Sequence, residues 1–550
     1  MIINGFHETD PEQLDSVVIG AGPVGLSVAL SLIRRGKKVH VLEAGGAASR
    51  SDSSGAFDLD LADPAVHASG ELVSRQGLGG TSSAWGACCV PLDPLDFDSR
   101  RHIPYSGVPL PHSEISSRYE AAAELVGIAN SFVDRTVADD LDAEVDWGQL
   151  MRYGKTPNLA ARHIAEIETS ELLRLHLNTR LVAMTLRPGA DRVACLTIES
   201  RGRRTKIRAE QVLLCCGGIQ SARLLLLLQR EHPVFLGGEH GPVGRYYSGH
   251  LSGTIARIRF DNPQAARRFV ARTDADGSFV RGCFLFKPAA QEEHRLLNHY
   301  FALNNAPIGD PAYRNGAFSA IHLGLSLRHG TPRYMSSYHP GHIETDYEFG
   351  VDPIRHIANI AANPLRTVRG LAEVIRTRAA SERSQPFFSF YNPAGYYALR
   401  YHSEQMPDPE SRVTLSDRRD DSGTPLPHVN LRVSDQDIES VIRSHDVLEN
   451  RMRSRGDGGL EWHQPPQLRA DHVRAQASDG YHQIGLTRMA RTPARGVVDQ
   501  GLRVHGVSNL FIVSAGVLPT GGRAHPTFPT IALGVRLAEA MTRQYQVIGA

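Results

Sequence analysis

An α/β fold is predicted, with a parallel-sheet domain and a second domain built on an antiparallel β-sheet. Three observations predict it: a strand, glycine-rich turn and helix near the N-terminus, a second such unit near residue 215, and period-two apolar alternation in mid-chain. Ser16-Val-Val-Ile-Gly20 is a short β-branched run leading into a glycine-rich turn, and Val24 to Arg35 carries apolar residues at helical spacing. Lys38 to Leu42 follows Gly36 as a second strand, completing the βαβ unit that builds parallel sheets. Gln211 to Cys215 runs into Gly217-Gly218 and a Leu-rich helix over Ser221 to Leu228, which repeats the theme and joins the same domain. In the middle, Ile321, Leu323, Leu325 and Leu327 alternate with His322, Gly324, Ser326 and Arg328, and Val429, Leu431 and Val433 alternate similarly. Such patterning predicts half-buried antiparallel strands. Ser434 with Asp437, ahead of Ile438, Val441 and Ile442, predicts a capped helix lying on that sheet. Leu365 to Arg383 sets Leu365, Val368, Leu371 and Ile375 against Arg366, Arg369, Arg376 and Arg378, which predicts a surface helix with a solvated basic face in preference to membrane docking.

The 550 residues exceed what one hydrophobic core organises, so two interleaved domains are expected. Sixty Lys and Arg against 59 Asp and Glu leave a formal charge of +1, and no global field favours nucleic acid. Six cysteines, with vicinal pairs at Cys88-Cys89 and Cys215-Cys216, show neither a disulfide framework nor zinc spacing, and read as reduced, buried small residues. The first residues lack a basic region followed by an apolar one, and the longest aliphatic run, Leu224 to Leu228, is too short to span a bilayer. A cytoplasmic protein with no transmembrane segment is expected. No HExxH, CxxC or GxSxG pattern points to a metal centre or a hydrolase.

Gly20-Ala21-Gly22-Pro23-Val24-Gly25 matches GxGxxG in its required context, after a strand and opening a helix, with Glu43 at the tip of the second strand. Gly20 permits the tight turn, Gly22 lets the backbone approach a pyrophosphate, and Gly25 lets helix and strand pack closely. The helix N-terminus offers free amides to phosphates, and Glu43 is placed to accept hydrogen bonds from ribose hydroxyls. This is a Rossmann-type site. A carboxylate at position 43 argues against NADP, and the fingerprint leaves FAD and NAD open.

Further motifs follow in order. They are Leu78-Gly79-Gly80-Thr81-Ser82-Ser83-Ala84-Trp85-Gly86 with Pro91 to Phe97, Tyr119 to Gly127, Val212 to Leu225, and Val243 to His250. The C-terminal ones are Tyr481-His-Gln-Ile-Gly-Leu-Thr-Arg-Met489, Gly496 to Asp499, Asn509 to Ile512, and Gly516-Val-Leu-Pro-Thr-Gly-Gly-Arg-Ala-His-Pro-Thr527. In order and spacing the chain resembles the glucose-methanol-choline (GMC) oxidoreductase family, and the 119–127 stretch is similar to a helix of its bacterial sugar-dehydrogenase branch. The resemblance implies FAD as cofactor and a catalytic pair, His482 and His525, at the flavin's reactive edge. It also implies cofactor contacts at Arg75, Gly79, Gly80, Thr81, Ser82, Trp85, Gly86, Val182, Gly217, Gly516, Pro526 and Thr527, beside Gly20, Gly22, Pro23, Val24, Gly25 and Glu43. Leu486 and Ala490 depart from the family motif while Arg488 and Met489 keep it. Ala84 stands where some members carry the His that bonds flavin covalently, so non-covalent FAD is expected.

Removing hydride from an alcohol carbon requires a base near neutrality within reach of the hydroxyl and a second group to fix the oxygen. His482 is assigned the first task and His525 the second. The resemblance to the sugar branch makes sugars, glycosides and polyols the expected substrates, with oxygen, a quinone or a redox protein as electron acceptor. Two other readings stay open: a non-redox lyase on the same scaffold, and a non-catalytic flavin-binding protein. The FAD domain is expected from roughly 1–110, 165–250 and 480–550, and the substrate domain from 111–164 and 251–479.

Overall fold

Val17 and Val18 are wholly buried in the strand Gln13–Ile19, as the centre of a parallel sheet covered on both faces requires. In this computed structural model, which describes residues 1–7, 10, 12–48, 58–134, 142–305, 307–329, 352–380 and 390–548, that strand lies in an eight-stranded sheet. Its order is Ile2–Asn4, Leu173–Leu177, Val39–Leu42, Gln13–Ile19, Arg203–Leu214, Val193–Ser200 and Thr179–Leu186, with Leu510–Ile512 also beside Arg203–Leu214. The twelve-residue strand Arg203–Leu214 serves two pairings. Its first half runs antiparallel to Val193–Ser200, and its second half runs parallel to Gln13–Ile19 and Leu510–Ile512. The helix Pro23–Ile33 starts with proline in its first turn, where no backbone N–H is needed, and packs against the C-terminal helix Thr527–Ile548. The second glycine turn opens a helix longer than Ser221 to Leu228, spanning Gly218–Glu231.

A second eight-stranded sheet is antiparallel, in the order Gly458–Trp462, His250–Phe260, Tyr396–Glu404, His299–Asn304, Phe279–Phe286, Val145–Tyr153 and Cys88–Cys89, with Arg272–Thr273 beside Phe279–Phe286. One face, with Ile258, Phe284, Phe301, Leu399 and Tyr401, packs on Ile438, Val441, Leu448 and Met452 of the helix Asp435–Arg455. That helix opens on the Ser434–Asp437 capping box. The other face, with His250, Ser252, Tyr300, Arg400 and His402, turns toward the first sheet. A small third sheet joins Arg412–Arg419, Pro425–Asn430 and Asp60–Leu61.

Several expectations need correction. Residues 321–327 are no strand but part of the helix Gly316–His329. Ile321 is the one β-branched residue there, and the capping contact of Asn315 Oδ1 with the Phe318 amide starts a helical turn that buries Phe318 and half-buries Ile321 at i, i+3 spacing. Of the alternating set Val429, Leu431 and Val433, only Val429 lies in a strand, because pairing with Arg412–Arg419 stops at Asn430. The 365–383 segment forms the helix Pro364–Ala380, and residues 381–383 fall outside the described set. Its apolar stripe faces solvent: Leu365 is 75%, Val368 64% and Ile375 66% exposed. Small Thr367 and Gly370 take the inner side, close to Gly316 and Ala317 of the neighbouring helix, and this rotates the larger side chains outward.

Within 111–164, the helices His112–Ser116, Tyr119–Val126 and Leu159–Arg162 bury Ile115, Tyr119, Leu125 and Leu159 in the core of the parallel-sheet domain, and the strand Val145–Tyr153 joins the antiparallel sheet, with Val133 bridged to its Gln149. Cys88–Cys89, inside 1–110, joins that sheet as well. All six cysteines are free, but Cys88, Cys195 and Cys216 are half-buried, two of them because they line the central cavity. Among the described residues no helix is long and apolar enough to cross a membrane.

Candidate active site

The three fingerprint glycines differ in what a side chain would meet. Gly20 has φ +101°, and a Cβ there would lie 2.9 Å from the Cys215 carbonyl oxygen. A Cβ on Gly25 would lie 2.0 Å from the Gly20 carbonyl oxygen. Gly22 has an ordinary φ of −73°, and a Cβ on it would meet nothing within 4 Å. The protein itself therefore needs glycine at 20 and 25, while the space over Gly22 opens into a cavity of about 640 Å³ between the two large sheets. Glu43, at the end of its strand, accepts backbone N–H bonds from Ala21 at 2.7 Å, Gly45 at 2.9 Å and Gly77 at 2.8 Å. Burial pushes its carboxyl pKa up, against the pull of those amides.

Of the positions expected to hold cofactor, Gly20, Gly22, Pro23, Val24, Glu43, Arg75, Gly80, Thr81, Trp85, Gly86, Val182, Gly217, Pro526 and Thr527 line this cavity. Gly25, Gly79, Ser82 and Gly516 stand behind the wall. Gly79 makes room for Asn158, Ser82 Oγ receives the Leu159 N–H, and the Gly516 carbonyl accepts from the Thr487 N–H. Along the same wall Arg75 Nε, Gln76 Nε2 and Gln220 Nε2 are buried donors with no partner among the described residues. Open space at a helix N-terminus, a carboxylate at the strand tip and unsatisfied donors between them fit the phosphates and ribose of a dinucleotide.

At the other end the cavity is walled by histidines. His482 and His525 both line it, with ring centroids 5.6 Å apart and planes at 84°. His402 lies parallel to His525 at 4.8 Å and to His250 at 4.2 Å, and all three rings stand nearly perpendicular to His482. His250 Nδ1 is 3.0 Å from His482 Nδ1, and His250 Nε2 is 3.0 Å from the Gly522 carbonyl oxygen. His525 Nε2 is 3.0 Å from Tyr300 Oη, and His402 Nδ1 is 2.6 Å from Ser252 Oγ. Asp479 Oδ1 accepts the backbone N–H groups of Gly480, Tyr481 and His482, while Oδ2 accepts that of His250 and lies 3.3 Å from His482 Nδ1. Burial raises the Asp479 pKa, but the His482 imidazole and the amide bonds outweigh it and hold the carboxyl well below its usual range. Burial, then the neighbouring His482, pushes His250 down to about 3. His402 is held well below its ordinary value by burial and the three histidines around it.

The loop carrying His525 is clamped from behind. Arg523, 1% exposed, makes paired bonds to Asp93 at 2.7 and 2.8 Å and a third to Gln149 at 3.0 Å. Beside it Arg100 pairs with buried Glu404 at 2.6 and 3.0 Å. Asp96, enclosed among these charges, is raised to about 7 by burial and then by Asp93. Of the residues at this end of the cavity the sequence singled out His482 and His525, and not His250, His402, Tyr300 and Asp479. His250 closes a motif that the family resemblance includes, and Asp479 precedes His482 by three residues, a spacing that suits a carboxylate supporting a histidine turn.

A dinucleotide cradle that opens onto a histidine-walled cavity beneath an antiparallel sheet defines a nucleotide-dependent oxidoreductase. Residues 15–300 match the family model for FAD dependent oxidoreductases, and residues 407–534 match that for GMC oxidoreductases. The chain belongs to the FAD dependent GMC oxidoreductases and is an FAD-dependent alcohol oxidoreductase. It is 21% identical to the 2-methyl-1,2-propanediol dehydrogenase of Mycolicibacterium austroafricanum over 98% of this chain and 97% of that one. A stretch of 141 residues is 31% identical to the fructose dehydrogenase large subunit of Gluconobacter japonicus, covering 25% and 24% of the two chains. Similar solved folds include pyridoxine 4-oxidase from Mesorbium loti, with TM-score 0.51, 14% identity and 97% and 99% coverage. Another is a fungal aryl-alcohol oxidase, with TM-score 0.52, 14% identity and 98% and 100% coverage.

Proposed function

We propose that the enzyme oxidises a CH–OH group of a small hydroxylated molecule, a sugar, glycoside or polyol, with His482 taking the hydroxyl proton. The observation that carries this is the pairing of His482 with Asp479. A carboxylate anchored by four backbone N–H groups lies 3.3 Å from Nδ1 of a ring that lines the cavity, so positive charge gained by that ring on taking a proton is stabilised. His525, steadied by Tyr300, stands across from it as the second contact to the same oxygen. When bound, FAD supplies the acceptor for the hydride, at the N5 position of its flavin ring. The cradle residues and Glu43 hold the nucleotide end, and Ala84 supports a non-covalent attachment. The relatives' names support a hydroxylated substrate, since 2-methyl-1,2-propanediol and fructose both carry neighbouring hydroxyls. A cytoplasmic setting belongs to this reading, supported by six free thiols.

The test is the visible spectrum of the purified holoenzyme under anaerobic conditions, before and after adding sugars, glycosides, polyols and simple alcohols. Bleaching by one class identifies the substrate. His482→Ala is expected to slow that bleaching by about 10²- to 10⁴-fold with FAD still bound, and a native rate in the variant would show that His482 is not the base.

A further inference from the structure

We infer that His250 is a positioning residue that fixes the proton of His482 on Nδ1 and so leaves Nε2 of His482 as the bare, basic nitrogen. The inference rests on the reading of His482 as base. The Gly522 carbonyl can only accept a hydrogen bond. His250 Nε2, 3.0 Å away, must therefore donate to it. His250 is 3% exposed and stacked on His402, an enclosure that favours the neutral ring. A neutral imidazole carries one N–H, so His250 Nδ1 has a lone pair, and the hydrogen bond across 3.0 Å has to come from His482 Nδ1. Asp479 Oδ2, at 3.3 Å from the same nitrogen, is also purely an acceptor and makes the same demand. The opposite tautomer of His250 would turn two lone pairs on each other at Gly522 and send the His482 proton to Nε2, where a base needs none.

The surroundings hold the His250 ring in this orientation. Its edge fits against Gly521, where a Cβ would come within 2.9 Å of Cε1 and 3.1 Å of Nε2. The His250 backbone N–H is bound by Asp479 at 2.6 Å. The titratable groups against the pair are Asp479, His402 and His525, with Tyr300 next to His402 and His525. Gly522 lies three residues before His525, so one imidazole links the protonation of the base to the loop that carries its partner.

The experiment uses two variants of the holoenzyme. His250→Phe keeps a stacking ring without hydrogen bonds, whereas His250→Gln loses the ring but can donate to Gly522 and accept from His482. Stopped-flow flavin reduction is expected to slow about 10²-fold in the Phe variant with KM little changed, and to recover to within about threefold of native in the Gln variant. Nitrogen-15 NMR of histidine-labelled protein, with His482 assigned from its loss in His482→Ala, should show a single Nδ1–H tautomer in the native enzyme and a mixture in the Phe variant. Native-like reduction in His250→Phe overturns the inference. So does equal damage in both variants with the His482 tautomer unchanged, which marks a packing role. If the Phe variant does not fold, an Nε2–H signal for His482 in the native enzyme is decisive against it. A native flavin-reduction rate in His482→Ala is a separate result, and removes the base assignment itself.

Discussion

Gly22→Ala separates what the protein needs from what its cofactor needs. The backbone at Gly22 is ordinary for alanine, and the new methyl would meet no protein atom within 4 Å, so the apoprotein should lose at most about 1 kcal/mol, the preference of a helix N-cap for glycine over alanine. The methyl would instead take the space kept open at the helix N-terminus. Losing one charge-assisted bond from an amide to a phosphate costs about 1.5–3 kcal/mol, which converts to a Kd for FAD raised about 10- to 150-fold. Gly25→Ala should behave oppositely. A Cβ 2.0 Å from the Gly20 carbonyl forces helix and strand apart, an overpacking cost of about 3 kcal/mol in the apoprotein. Fluorescence titration of FAD into each apoprotein, with thermal melts in its absence, distinguishes the two. Native FAD affinity in Gly22→Ala would refute the assignment of that space to the cofactor.

A Cβ on Gly218 would sit 2.4 Å from the Gln483 carbonyl and must open by about 1 Å to reach ordinary contact, so Gly218→Ala should displace the residue next to His482 and slow flavin reduction about 10²-fold in stopped-flow while FAD still binds. Arg523→Met leaves half-buried Asp93 without its cation, and urea unfolding should show a loss of about 3 kcal/mol, the lower end of the range for a fully buried pair. Asp96 has a native pKa near 7, above its unfolded value of about 4, so the native state binds the extra proton and stability falls as pH rises between those values. Asp96→Asn removes that slope, and its denaturation midpoint should gain on the native protein between pH 5 and pH 8.

The features legible in the sequence were those carried by neighbours in the chain. A β-branched run, a glycine turn and a helical repeat lie within thirty residues of one another, so Gly20 to Glu43 could be placed without the rest of the molecule. The histidine wall is different. Ser252, Tyr300 and His402 meet because three antiparallel strands place them in register, Ser252 and Tyr300 each opposite His402, and no local pattern announces that. The 321–327 alternation is a pattern of polarity alone and carries no information about which side chains have a core to enter. Phe318 and Ile321, three apart, found a common core, and the period-two pattern lost to it. Glu43 shows the same limit, since its position was readable but the three amides that orient it come from residues 21, 45 and 77.

The strand Leu510–Ile512 and the helix Thr527–Ile548 lie far beyond the glycine turn in the chain, yet they join its sheet and pack on the helix that begins at Pro23. At a synthesis rate of about 5–20 residues per second, the glycine turn waits on the order of half a minute or more for its partners. A chain cut before Leu510 would lack both that strand and that helix, leaving the sheet unpaired beside Arg203–Leu214 and the Pro23–Ile33 helix without its packing partner.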